Sequence, residues 1–143
     1  MVNAFRVSEA ASLALHSMTF LAGKQNGLVS AHEIAGALNV SEAHLQKVLQ
    51  RLARTGLVKS TRGPKGGFAL GRPRSKITLL EVYETIEGPL AMSGCLLGSP
   101  VCGGEKCIFG SLLRTVNKRM KDYLAHTTLP ELGKAGRRKH RDD

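Results

Sequence analysis

Cys95, Cys102 and Cys107 are the chain's only cysteines, and all three fall within thirteen residues, in a C-x6-C-x4-C arrangement set among Gly94, Gly98, Gly103, Gly104 and Gly110. Glycines let a backbone turn tightly enough to bring three thiolates onto one centre and to donate amides to sulfur. An odd cysteine count in so short a span does not suit a disulfide framework. In a reducing compartment it points to metal binding or thiol chemistry. Soft thiolates admit three occupants: an iron-sulfur cluster, zinc, or no metal with redox-active thiols. A single buried cysteine would pass as a small hydrophobe, whereas three in one aperiodic loop would not.

A second concentration of chemistry lies upstream. Residues 41–76 hold nine of the 21 Lys and Arg (Lys47, Arg51, Arg54, Lys59, Arg62, Lys65, Arg72, Arg74 and Lys76) against one acid, Glu42. That segment carries +8 of the net +10. Charge localised in this way attracts a polyanion to one surface, so nucleic acid is the expected partner. With no Trp and two Tyr, the chain has few platforms for stacking unpaired bases, which favours a duplex.

The elements that must position these residues can be read from period and caps. From Ser8 to Gly23, Ala11, Leu15, Met18 and Leu21 or Ala22 recur at helical spacing. Ser30 with Glu33 is a capping box opening a short helix to Leu38. Asn39-Val40 turns the chain, and Ser41 caps a third helix with Leu45, Val48, Leu49 and Leu52 inward. Two β-capable runs then flank Gly63-Pro64-Lys65-Gly66-Gly67, a hairpin with a basic tip. Two helices about a tight turn followed by such a hairpin form a winged helix-turn-helix. Thr78 with Glu81 opens a helix closed by Gly88-Pro89.

The expected fold is therefore mainly α with a small β-hairpin wing, extended by a long C-terminal dimerisation helix. Its divisions are a winged helix-turn-helix at 1–89, a cysteine-containing sensor loop at 90–107, the dimerisation helix and terminal turn at 108–133, and a basic tail at 134–143, expected to be disordered. From Phe109, Leu112, Leu113, Val116, Met120, Tyr123 and Leu124 form an apolar stripe that needs a partner, and a second copy is the commonest one. Thr128 with Glu131 suggests a final capped turn.

The DNA-contact candidates are Ser41, His44, Gln46, Lys47, Arg51, Arg62 and Lys65. Amide and ammonium groups near the start of the third helix suit adenine and guanine edges, which assigns Gln46 and Lys47 to bases. His44, Arg51 and Arg54 share the outward face with Lys47. Arg62 and Lys65 are placed on the wing for phosphate or minor-groove contact.

Gly56-Leu57-Val58, Arg62-Gly63-Pro64-Lys65-Gly66-Gly67-Phe68, Ile77-Thr78 and Ile86-Glu87-Gly88 together resemble the signature of the bacterial IscR/NsrR family of winged-helix regulators, the Rrf-two superfamily. The resemblance covers roughly residues 6 to 125. It implies a homodimer on palindromic DNA and, in many members, an iron-sulfur cluster held by three loop cysteines that senses redox state, nitric oxide or iron and cluster supply. Three thiolates do not distinguish a 2Fe-2S from a 4Fe-4S cluster. Family members commonly space these cysteines evenly or place a His after the last, whereas here the gaps are unequal and Ile108-Phe109-Gly110 follows Cys107. The fourth ligand is open, with His16 and Glu105 as the main candidates and Ser12 and Glu9 beside His16 on the first helix.

Other classes fit less well. The five His are scattered, no nucleophile stands at recognisable spacing from a base, and Gly63–Gly67 lacks the Gly-Lys-Ser/Thr ending of a phosphate loop, so no enzyme is expected. A small iron-sulfur electron carrier would leave the basic segment unexplained. A cluster-free regulator using zinc, thiols or a protein partner is the alternative within the same class. The chain has no apolar run of about 18 residues and no basic start leading into an apolar core, so neither a membrane span nor a signal peptide is expected, whereas a cytoplasmic protein is.

Overall fold

A computed structural model describes residues 6–24, 27–90, 108–109 and 111–129. Along the chain stand α1 (Glu9–Gly23), α2 (Ala31–Leu38), α3 (Glu42–Arg54), β1 (Val58–Thr61), β2 (Gly67–Leu70), a 3-10 turn at Arg74–Lys76, α4 (Leu79–Glu87) and α5 (Leu112–His126). The expected mainly helical fold with an antiparallel hairpin is the one observed. Cys95, Cys102, Cys107, Glu105, Glu131 and the basic tail lie outside the described residues.

Side-chain caps start four of the helices. Ser8, Ser30, Ser41 and Thr78 each accept from a backbone amide three residues on, satisfying a donor that helix geometry leaves free. The box at Thr78 is complete, because Glu81 returns a carboxylate to the Thr78 amide at 3.2 Å. The box expected at Ser30 is only half formed. Glu33 turns away to meet Lys24 at 3.3 Å, since the end of α1 brings an ammonium within reach.

The core gathers around α1. Ala11, Leu13, Ala14, Met18, Leu21 and Ala22 are buried because α4 and α3 both pack on this helix, so more than one stripe is covered. Leu15, expected inside, is only half-buried. Met18, Ile34, Leu45, Leu49, Leu52, Leu57, Ile77, Val82 and Leu129 are buried to within two percent, each contributing on the order of 1.5–3 kcal/mol by leaving water.

The hairpin pairs Val58 with Leu70 through Thr61 with Gly67. Its second edge carries a rung the sequence did not announce. Val29, between α1 and α2, exchanges backbone hydrogen bonds with Phe68 at 2.9 and 2.8 Å. Gly67 is required there: at φ 157° its missing Cβ would stand 2.7 Å from the Val29 oxygen. The N-terminal segment is tied down as well, by Tyr83, whose hydroxyl donates to the Arg6 carbonyl at 2.7 Å and whose burial pushes its phenol upward in pKa.

α5 spans 15 residues, about 22 Å at 1.5 Å per residue. The single stripe expected on it divides. Asn117 and Leu124 are buried and Leu113 is half-buried, while Leu112, Val116 and Tyr123 are 53, 42 and 57% exposed. Because α5 packs against α4, only one edge of the stripe is covered. Thr128, where a capped turn is expected with Glu131 outside the described residues, bridges Thr78, with the Leu79 amide on the Thr127 carbonyl at 3.0 Å and the Leu129 amide on the Ile77 carbonyl at 3.3 Å. Among the described residues no helix is long and apolar enough to cross a membrane.

Candidate nucleic-acid interface and sensor loop

The α2–α3 turn is closed by Asn39, in the left-handed region at φ 54° and ψ 51°, and by the Val40 amide on the Ala35 carbonyl at 3.0 Å. Asn tolerates that conformation better than most side chains because its amide can bond locally. The turn leaves Ser41, Glu42 and Ala43 exposed at the start of α3, where the positive end of the helix dipole and the first-turn amides favour a phosphate. The Ser41 hydroxyl accepts from the His44 amide at 3.4 Å. Glu42, the lone acid, is held by His32 at 3.0 Å.

Burial decides which side of α3 is open. Leu45, Val48, Leu49 and Leu52 face the core, as the spacing predicts. At 3.6 residues per turn the side opposite them is Ala43, Lys47, Gln50 and Arg54, with Gln46 beside it; all five are exposed. His44 and Arg51 occupy the other flank, against α1 and α4. His44 is half-buried and stands 3.9 Å from Glu9. Arg51 donates from Nη2 to the Ile86 carbonyl at 2.8 Å.

Eight of the nine cations of residues 41–76 thus separate into two populations, and the ninth, Lys76, is exposed on the 3-10 turn. Lys47, Arg54, Lys59, Arg62 and Lys65 are exposed on α3 and the adjoining hairpin, with no ion pair or side-chain hydrogen bond among the described residues. Arg51, Arg72 and Arg74 are engaged within the protein: Arg72 with Glu81 at 3.0 Å and Arg74 with the Ala22 carbonyl at the end of α1, also at 3.0 Å. Sequence gave no warning of these bonds, because their partners lie 9 to 52 residues away.

The wing tip shows why its residues are what they are. Gly63 adopts φ 110°, and the Gly66 amide closes the turn on the Gly63 carbonyl at 2.9 Å. A Cβ at Gly66 would overlap the Thr61 carbonyl oxygen, so the turn excludes every side chain there. Arg62, Pro64 and Lys65 project from this compact tip into solvent.

His16, a candidate fourth ligand, is exposed on α1 and is not a packed core histidine. Its Nδ1 lies 2.7 Å from the Ser12 carbonyl and 3.3 Å from the Ser12 hydroxyl, which leaves Nε2 available. Glu9, Ser12 and His16 follow one another at helical spacing along one side of α1. The three cysteines and Glu105 lie outside the described residues, so no distance relates them to this row.

Comparison with known proteins agrees with this architecture. The Rrf2 family model, described as an iron-dependent transcriptional regulator, matches residues 7–135. The chain is 31% identical over 130 residues to the HTH-type transcriptional regulator IscR of Xenorhabdus nematophila, covering 91% of this chain and 75% of that protein. Its fold is similar to CymR, the global cysteine regulator of B. subtilis, with TM-score 0.78, 30% identity and coverage of 92 and 98% of the two chains. It is also similar to T. potens IscR, with TM-score 0.73, 26% identity and coverage of 97 and 93%. A matched model over most of the length and relatives that are regulators rather than enzymes lead to one conclusion: the chain belongs to the Rrf2 family of transcriptional regulators.

Proposed function

We propose that this regulator is a cytoplasmic homodimer that grips a palindromic operator through α3 and the wing, and whose affinity is set by an iron-sulfur cluster on Cys95, Cys102 and Cys107. The observation that carries the DNA-contact assignment is the set of five unpartnered cations on α3 and the hairpin, beside the capped start of α3. Gln46 and Lys47 read base edges, Ser41 and His44 stand at the helix start near the backbone, and Arg62 and Lys65 hold phosphates from the wing. Lys65→Ala is expected to flatten the log-log salt dependence by about one unit. Gln46→Ala relaxes preference at one base position and leaves the slope unchanged. Titrations at several salt concentrations separate the two, and identical behaviour would refute this division.

The outward edge of α5 supports the dimer. Leu112, Val116 and Tyr123 recur on one side of the helix and are uncovered by the rest of the described protein. A second copy of α5 would bury them, and half-sites one helical turn of DNA apart would require the two recognition helices to stand about 34 Å apart. Val116→Glu is expected to convert the dimer to monomer in sedimentation equilibrium. A variant that keeps the wild-type mass would remove α5 from the interface.

The donor chemistry fits a cluster, since thiolate is the usual ligand of iron-sulfur centres and three are present within thirteen residues. When bound, such a cluster supplies a one-electron and ligand-reactive centre. Three thiolates are one short of a full set, which leaves the fourth position to His16, Glu105, Ser12 or Glu9. A site completed by nitrogen or oxygen gives up its cluster, or admits a small ligand, more readily than four thiolates would. Iron and sulfide analysis distinguishes this reading from a cluster-free regulator that uses zinc, redox thiols or a protein partner.

A further inference from the structure

We propose that Arg51 is a positioning residue, a latch that holds α3 to the end of α4 and sets the angle at which Gln46 and Lys47 meet DNA. The proposal rests on the DNA-binding reading and changes the part Arg51 plays in it. Spacing alone places Arg51 on the same outward face as Lys47, where a guanidinium would contact phosphate. Instead its Nη2 donates to the Ile86 carbonyl at 2.8 Å, across 35 residues of sequence.

That carbonyl needs a donor from outside its own helix. Ile86 is among the last four residues of α4, whose carbonyls have no partner within the helix, and the Gly88 amide takes the Glu84 carbonyl at 2.9 Å. The last turn of α4 contains no basic residue but does contain Glu84 and Glu87. The negative end of the helix dipole, reinforced by two carboxylates, therefore draws a cation from a neighbouring element, and Arg51 answers. The fork of a guanidinium, unlike an ammonium, has a fixed orientation and transmits a direction as well as a charge.

The same turn anchors a third helix. Ser8, the N-cap of α1, donates its hydroxyl to Glu87. His44, two turns before Arg51 on the same flank of α3, lies 3.9 Å from Glu9 in the first turn of α1. Arg51 thus fastens this flank of α3 to the end of α4, and His44 on the same flank lies beside the start of α1. An arginine fastened there commits Nη2 to the Ile86 carbonyl, and losing that bond frees α3 to rock about its apolar face.

A duplex enriched from a random pool by the wild-type protein, and an unrelated duplex of equal length, serve as probes. Arg51→Met keeps most of the stem and removes the donors. Affinity for the enriched duplex is expected to fall about tenfold, the scale of one lost charge-assisted hydrogen bond. Affinity for the unrelated duplex and the salt slope should stay at wild-type values, and amide exchange along Leu45–Leu52 should quicken. Equal losses on both duplexes with a slope flatter by about one unit would make Arg51 a phosphate contact and overturn the latch. So would equal losses that merely follow a lower melting temperature, or no loss at all. If the Met variant fails to fold, Arg51→Lys decides: it keeps the charge, so a phosphate contact would survive it, whereas the latch predicts the same lost discrimination. A wild-type chain that enriches no duplex refutes the DNA-binding reading itself, a result distinct from each of these.

Discussion

Gly66→Ala is expected to disable the wing while leaving the helical core folded. The added methyl would collide with the Thr61 carbonyl, a backbone atom that cannot swing aside, so the turn from Gly63 to Gly66 must open. Arg62 and Lys65 ride on that turn, and both lose their aim together. If each neutralises one phosphate, losing two costs about two units of salt slope, which at 0.15 M salt amounts to roughly thirtyfold in affinity. The hairpin rungs end at Thr61 and Gly67 and the buried set lies elsewhere, so far-ultraviolet circular dichroism should retain its helical signal. Single substitutions of Arg62 and Lys65 to Ala provide the comparison, because together they should match the loss seen in Gly66→Ala. A Gly66→Ala protein that binds DNA at wild-type affinity and slope would show that the wing does not grip.

Replacing Cys102 by Ser is expected to abolish the cofactor altogether. A hydroxyl stays protonated at neutral pH and is a poor soft ligand, whereas the thiolate it replaces is the usual donor for iron-sulfur centres. The chain has three cysteines and no fourth to step in. Anaerobically purified wild-type protein should show visible absorbance with iron and sulfide bound, and the variant should show neither. Exposing the wild type to oxygen or nitric oxide should bleach the same absorbance and shift operator affinity with it, while the variant's affinity stays fixed. A cluster that survives Cys102→Ser intact removes the loop from the sensing role. Zinc retained in place of iron would support the cluster-free regulator.

The separation of Arg51, Arg72 and Arg74 from the other cations changes how the basic segment should be understood. The net +8 remains a property of residues 41–76, but fewer of its charges are left without a partner in the protein than that figure suggests. Three guanidiniums tie helix ends and a capping box together, while five cations on α3 and the hairpin, and Lys76 on the 3-10 turn, face outward with no ion pair or side-chain hydrogen bond among the described residues. One stretch of chain thus supplies both outward-facing charge and bonds within the protein.

Much of this was legible before any coordinates. Ser30, Ser41 and Thr78 announce helix starts because a cap bonds to an amide only three residues away. Leu45, Val48, Leu49 and Leu52 announce an inward face because helical period is local. The Arg-Gly-Pro-Lys-Gly-Gly run announces the wing because only glycine fits its turn. What tertiary structure alone decided is where long side chains end and which neighbour covers a face. Arg51 met the end of α4, Glu33 turned to Lys24, Val29 joined the hairpin, and α4 covered one edge of the α5 stripe while Leu112, Val116 and Tyr123 stayed outside. The physical reason is range. Caps, turns and periodicity involve residues within about one helical turn of each other, whereas an arginine's choice between a phosphate and a distant carbonyl depends on packing that brings the two helices together.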